Sequence, residues 1–83
     1  MIPLEQVAAA NQRSIRGMIA DKKEFLKAWD YSWLPMETAP PILLDRNLVL
    51  RHGAHRLLAA VIRMDEFIEA EVTEDAIQLG KVT

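Results

Sequence analysis

From Leu57 to Ile62 six consecutive positions are apolar, and Gly53 stands just ahead of them. Few folds accept that combination. Six apolar residues in a row leave a helix with almost no polar side, so such a helix has to be buried on most of its circumference. Upstream, Ile42, Leu43 and Leu44 form one short apolar run and Leu48, Val49 and Leu50 another, with Asp45-Arg46-Asn47 as turn chemistry between them. Pro41 to Ala60 therefore reads as strand, turn, strand, glycine, helix. Residues 42–44 and 48–50 are expected to pair, and a helix from about Ala54 to Arg63 to pack across the sheet, with Leu57 and Val61 in the core. Ala59 and Ala60 are small enough to let the sheet backbone come close.

The first turn of this helix carries Gly53, Ala54, His55 and Arg56. Unpaired backbone N–H groups and the positive end of the helix dipole lie there, beside a permanent cation and a titratable imidazole. That chemistry suits a phosphate. Gly53 would admit close backbone approach, Arg56 would offer a two-pronged contact, and His55 would donate to phosphate or move protons near neutral pH. The plainer alternative pairs Arg56 with a carboxylate such as Asp45 and leaves His55 as a helix cap. A metal held by His52, His55 and Asp45 has only two imidazoles around a glycine turn to support it, and no metal site is expected. Ser14 and Ser32 lack a base-and-orienter pair, and neither a P-loop nor G-x-G-x-x-G occurs.

P-I-L-L-D, a short gap, then G-A-H-R-L-L-A-A resembles the N-terminal domain of ParB-type partition proteins and their relatives, the ParB/sulfiredoxin fold. The family's G-x-x-R-x-x-A segment is matched by Gly53, Arg56 and Ala59, and the resemblance covers roughly residues 40–75. Ile2-Pro3-Leu4 and Asn11-Gln12-Arg13 match the family's opening strand and N-x-R segment more loosely. The resemblance implies an α/β (α+β) fold with a small mixed sheet and three or four helices, residues 1–83 forming a single ParB-like domain. It implies binding of a nucleotide or nucleic-acid phosphate by Gly53, Ala54, His55 and Arg56, with Arg13 as a further contact. CTP or ATP with Mg²⁺ are the implied cofactors. A partition- or regulation-related accessory role, with nucleotide hydrolysis, phosphoryl transfer or nuclease chemistry left open, is the implied function. Ala54 stands where sulfiredoxins carry the reactive cysteine of G-C-H-R, and the chain has no cysteine, so sulfiredoxin activity is excluded. Partition proteins commonly read G-E-R-R here and continue into a helix-turn-helix and a dimerisation region, so site-specific DNA reading and a CTP-gated clamp are not expected of these residues. A reading of another class is a non-catalytic protein-interaction module whose basic turn meets an acidic partner.

Charge supports a local rather than a global anion site. The net charge is −2, yet Arg46 to Arg63 holds four arginines, two histidines and no acid, while Asp65 to Asp75 holds six carboxylates and no base. A broad basic face, as nonspecific duplex binding needs, is missing. Arg46, Arg51 and Arg63 are either solvated or part of that anion site. With 83 residues, about 60–65% of the unfolded surface can be buried, enough for one domain. No apolar stretch approaches the roughly 20 residues of a membrane span, and no secretory leader stands at the N-terminus, so a cytoplasmic protein is expected.

Elsewhere the pattern is plainer. Asp21-Lys22-Lys23-Glu24 reads as a capping box opening a helix from about Lys22 to Trp33, with Phe25, Leu26, Trp29 and Trp33 as an aromatic core stripe. Pro35, Pro40 and Pro41 carry the chain onward in extended form. At the N-terminus Leu4, Val7, Ala8, Ile15 and Met18 fit helical spacing loosely, while Gly17 and the polar Asn11-Gln12-Arg13-Ser14 break it; the resemblance implies a short strand at Ile2–Leu4, then a helical turn and a loop. Arg13 and Arg16 are candidates for a second phosphate contact. Ile68 to Val72 alternates apolar and acidic as a half-exposed strand does, and Thr73-Glu74-Asp75 reads as the cap of a short helical turn through Leu79.

Overall fold

A computed structural model describes residues 1–33 and 40–73. Among them the order is β1 (Ile2–Pro3), α1 (Leu4–Ala10), α2 (Gln12–Ala20), α3 (Lys22–Tyr31), β2 (Ile42–Asp45), β3 (Leu50–His52), α4 (Ala54–Arg63), β4 (Phe67–Ile68) and β5 (Ala70–Thr73). A mixed three-stranded sheet runs β3-β2-β5, antiparallel on the β3 side and parallel on the β5 side. A separate antiparallel pair joins β1 to β4. The described residues are thus mixed α/β, with four helices and a small mixed sheet, as expected.

α4 forms over the residues expected of it, but it packs differently. Leu57, Leu58, Ala59 and Ala60 are buried, whereas Val61 is only half-buried. Its most extensive neighbour is α3, with smaller contacts to α1, α2 and β2. Ala28 on α3 and Ala59 and Ala60 on α4 are small and buried, which suits close helix–helix packing; Ala59 and Ala60 were expected to let the sheet approach. Arg63 ties the far ends of this pair: its guanidinium donates to the Ser32 carbonyl at 3.3 Å and pairs with Asp65 at 2.9 Å. Arg63 is therefore a partner of the α3 C-terminus, neither a merely solvated residue nor part of an anion site.

The second strand begins two residues later than the apolar run suggests. Asp45 Oδ1 accepts from the N–H groups of Asn47 at 2.8 Å and Val49 at 3.0 Å, while the Asp45 carbonyl accepts from Leu48 at 2.9 Å. These bonds keep the chain turning through Leu48, whose φ of 64° is left-handed. Pairing with β2 starts only at Leu50, opposite Leu44. An aspartate that satisfies its own turn competes successfully with strand propensity at Leu48 and Val49.

Two helices replace the expected turn and loop after Pro3. Gln12, Arg13 and Ser14 form the solvent face of α2, whose Ile15 enters the core and whose Met18 packs against it. Gly17 lies exposed within this helix, and its cost of about 1 kcal/mol is offset by that packing. Asn11, at the junction, is buried and fully used. Its Nδ2 donates to the carbonyls of Val7 and Leu48, both at 2.8 Å, and its Oδ1 accepts from the Leu50 N–H at 2.8 Å.

α3 also departs from expectation on one face. Asp21 caps it, accepting from Lys23 at 3.0 Å and Glu24 at 3.3 Å, but Glu24 does not reach back to the cap. Ala28 is the buried residue of this helix and Phe25 packs on the core, while Leu26, Trp29 and Trp33 stay exposed. The aromatic stripe is a surface row, not a core. The alternating stretch near the C-terminus splits at Glu69: Ile68 pairs with Ile2, and Ala70 to Thr73 runs beside β2. The expected helical turn through Leu79 lies outside the described residues.

Candidate functional site

The site grows from one turn. β3 ends at His52, Gly53 takes φ of 100°, and α4 starts at Ala54. A Cβ at Gly53 would stand 2.8 Å from Ile42 Cγ2, so the turn is pressed directly onto the buried start of β2. Only glycine meets both conditions, the left-handed φ and the missing side chain. No side chain caps α4, and Leu57 is the first of its N–H groups to find a backbone carbonyl, that of Gly53 at 2.9 Å. Among the described residues the preceding N–H groups, of Ala54, His55 and Arg56, meet no backbone carbonyl at the positive end of the helix.

A cleft of about 410 Å³ opens over this turn, lined by residues 50–56 and Tyr31. Among the described residues no carboxylate is in its walls, and Arg51, His52, His55 and Arg56 are. Arg56 is half-buried, its Nε is buried without a hydrogen-bond partner, and among the described residues no carboxylate pairs with it. The expected alternative, an Arg56–Asp45 pair, is not formed. Asp45 pairs instead with Arg51, at 3.3 Å. Burial by itself would raise the Asp45 pKa, but the N–H groups of Val49 and Asn47 and the Arg51 guanidinium outweigh it and leave the carboxyl below its ordinary range.

His55 is held from the side of α3. Its Nε2 bonds Glu24 Oε2, and its ring lies nearly parallel to Tyr31, at 6.2 Å between centroids and 15° between planes. Here His55 is neither a helix cap nor a ring with both nitrogens free for a ligand; Nδ1 and the backbone N–H are what it can still offer. Arg13 is exposed on α2 and is not among the residues lining the cleft, and Arg16 lines a different hollow, between α1, α2 and α4. Among the described residues no group of three or more His, Asp and Glu is placed to hold a metal. Likewise, no helix among them is long and apolar enough to cross a membrane.

Sequence reasoning found the turn and missed its neighbours. Glu24 lay in a capping pattern and Tyr31 carried no signal linking it to Gly53, whereas Arg51 was already a candidate member of the anion site. Only the packing of α3 on α4 brings Glu24 and Tyr31 to the turn. No family model, curated protein or solved structure matches this chain.

Proposed function

We infer that this protein binds a phosphate group, carried by a nucleotide or a nucleic acid, in the cleft over the Gly53-Ala54-His55-Arg56 turn. The observation that carries the reading is Arg56: a half-buried guanidinium with no partner among the described residues, beside three open N–H groups at a helix start. A buried donor left unpaired is costly, on the order of 1–3 kcal/mol, and an incoming anion removes that cost while meeting the helix dipole. Arg51 and His52 add a guanidinium and an imidazole to the wall, and Tyr31 supplies an aromatic edge for the rest of the ligand. The resemblance to ParB-type domains, with CTP or ATP and Mg²⁺ as the ligands it implies, belongs to the same reading.

The test is a thermal-shift and titration series with inorganic phosphate, CTP, ATP, GTP and a short single-stranded DNA, each with and without Mg²⁺. Ligand at 100 times its dissociation constant adds about 2.7 kcal/mol, which should raise Tm by roughly 10 °C or more in a domain of this size. Arg56→Ala should weaken binding roughly 10- to 150-fold, the worth of one charge-assisted hydrogen bond, without lowering the Tm of the free protein. Arg56→Lys should restore only part, since an ammonium lacks the planar fork. Equal affinity of parent and Arg56→Ala for every ligand would end the reading.

A further inference from the structure

The exposed face of α3 has a symmetry of its own. At about 100° per residue, with Leu26 on the midline, Lys22 and Trp29 fall on one flank of the helix and Lys23 and Asp30 on the other. Along the axis, the two lysines precede Leu26 by four and three residues, and Trp29 and Asp30 follow it by three and four. Trp33 stands just past the end of the helix. Leu26 is 50% exposed, Trp29 43% and Trp33 75%. Phe25, Trp29 and Trp33 follow one another in a row, with ring centroids 6.3 and 6.2 Å apart. Among the described residues Lys23 and Asp30 make no side-chain bond within the chain; only their backbone groups are engaged, at the helix cap and in the last turn.

A two-fold axis through Leu26, perpendicular to the plane of two antiparallel helices, keeps each flank on its own side and reverses height along the helix. Lys23 of one copy then meets Asp30 of the other, and Lys22 meets Trp29. Both contacts occur twice. The first is an ion pair, the second a cation over an indole face, and Leu26 meets Leu26 at the centre. A pattern that complements itself at these five positions specifies a second copy of this chain as its occupant. We propose that α3 is the interface of an antiparallel, two-fold homodimer, centred on Leu26 and sealed by Trp29 and Trp33. One helix face lies at the small end of specific interfaces, which bury roughly 800 Å² per partner at standard size, so the dimer forms reversibly with concentration.

Charge exchange across the axis tests it. Lys23→Glu and Asp30→Lys each set like charges against each other twice, so each variant alone should be monomeric. Mixed in equal amounts they regain both ion pairs. The introduced glutamate of one chain then faces the introduced lysine of the other, and the unaltered Asp30 faces the unaltered Lys23, so the mixture should associate as the parent does. Neither change threatens the helix: each places its charge favourably on the helix dipole, an acid in the first turn and a base in the last. Sedimentation equilibrium should show the parent's mass rising from 9.4 kDa toward twice that value, and circular dichroism should show both variants folded. Trp29 and Trp33 fluorescence should shift to the blue over the same concentrations. A parent that stays monomeric up to about 1 mM, the weak end of specific association, overturns the proposal. So does a mixture no more associated than its components, single variants that associate like the parent, or a monomeric parent whose tryptophans are quenched by single-stranded DNA.

Discussion

Gly53 meets two separate demands, and its replacement separates structure from function most cleanly. Its φ of 100° would strain any L side chain, and the missing Cβ is what lets β3 turn into α4 against Ile42. Gly53→Ala should therefore lower stability by about 2–4 kcal/mol, summing the left-handed strain and a small overpacking cost. In a domain of 83 residues that is a large share of a total of about 4–12 kcal/mol, and a urea titration would show it as a lower midpoint. An unchanged midpoint would mean that the turn relaxes away from Ile42. Arg56 lies three residues on and behaves oppositely, since it has a buried donor and, among the described residues, no partner to lose. One of these residues shapes the turn, and the other is the one on which the proposed affinity rests.

Between elements, Asn11 is the joint that matters most. Its amide reaches from the α1–α2 junction to the β2–β3 turn, with three bonds of 2.8 Å to Val7, Leu48 and Leu50. Leu48 sits in a left-handed conformation that this clamp and the Asp45 turn together hold in place. Asn11→Ala should cost about 3 kcal/mol, at roughly 1 kcal/mol for each hydrogen bond lost. Hydrogen exchange should quicken at Leu50 and through β3 before it does in α4. Uniform quickening would place Asn11's contribution in global packing instead. Because β3 leads directly into Gly53, loosening it should also weaken any ligand held over the turn.

For the molecule as a whole, acid stability has one clear contributor among the described residues. Asp45 is pulled up by burial and, more strongly in sum, down by Val49, Asn47 and Arg51, so its folded pKa lies below its unfolded one. The unfolded chain then takes up the proton first. This stabilisation is fully present above about pH 4, the ordinary aspartate range, and is lost as pH falls through the lower folded value. Asp45→Asn should keep the turn bonds through its side-chain oxygen yet flatten that acid limb, measured as the urea midpoint against pH. A limb of unchanged slope would assign acid sensitivity to other carboxylates. How much of the molecule was legible in advance follows the range of the forces involved. Short-range chemistry was readable: Asp21 as a cap, Gly53 as the breaker before Ala54–Arg63, and Ile42 to Leu44 as a strand. Those features depend on neighbours within about one helical turn. Contacts between distant segments were not readable, because side-chain type alone does not say which apolar face wins a place inside. Local sequence was thus enough to set α3, β2 and α4 and the chemistry of their ends. Long-range packing was needed to lay α4 on α3 and to turn Trp29 and Trp33 outward. It also gave Glu24 to His55 and left Arg56 without a partner among the described residues. Each of those outcomes is a competition between groups far apart in the chain, settled by packing geometry that no local pattern encodes.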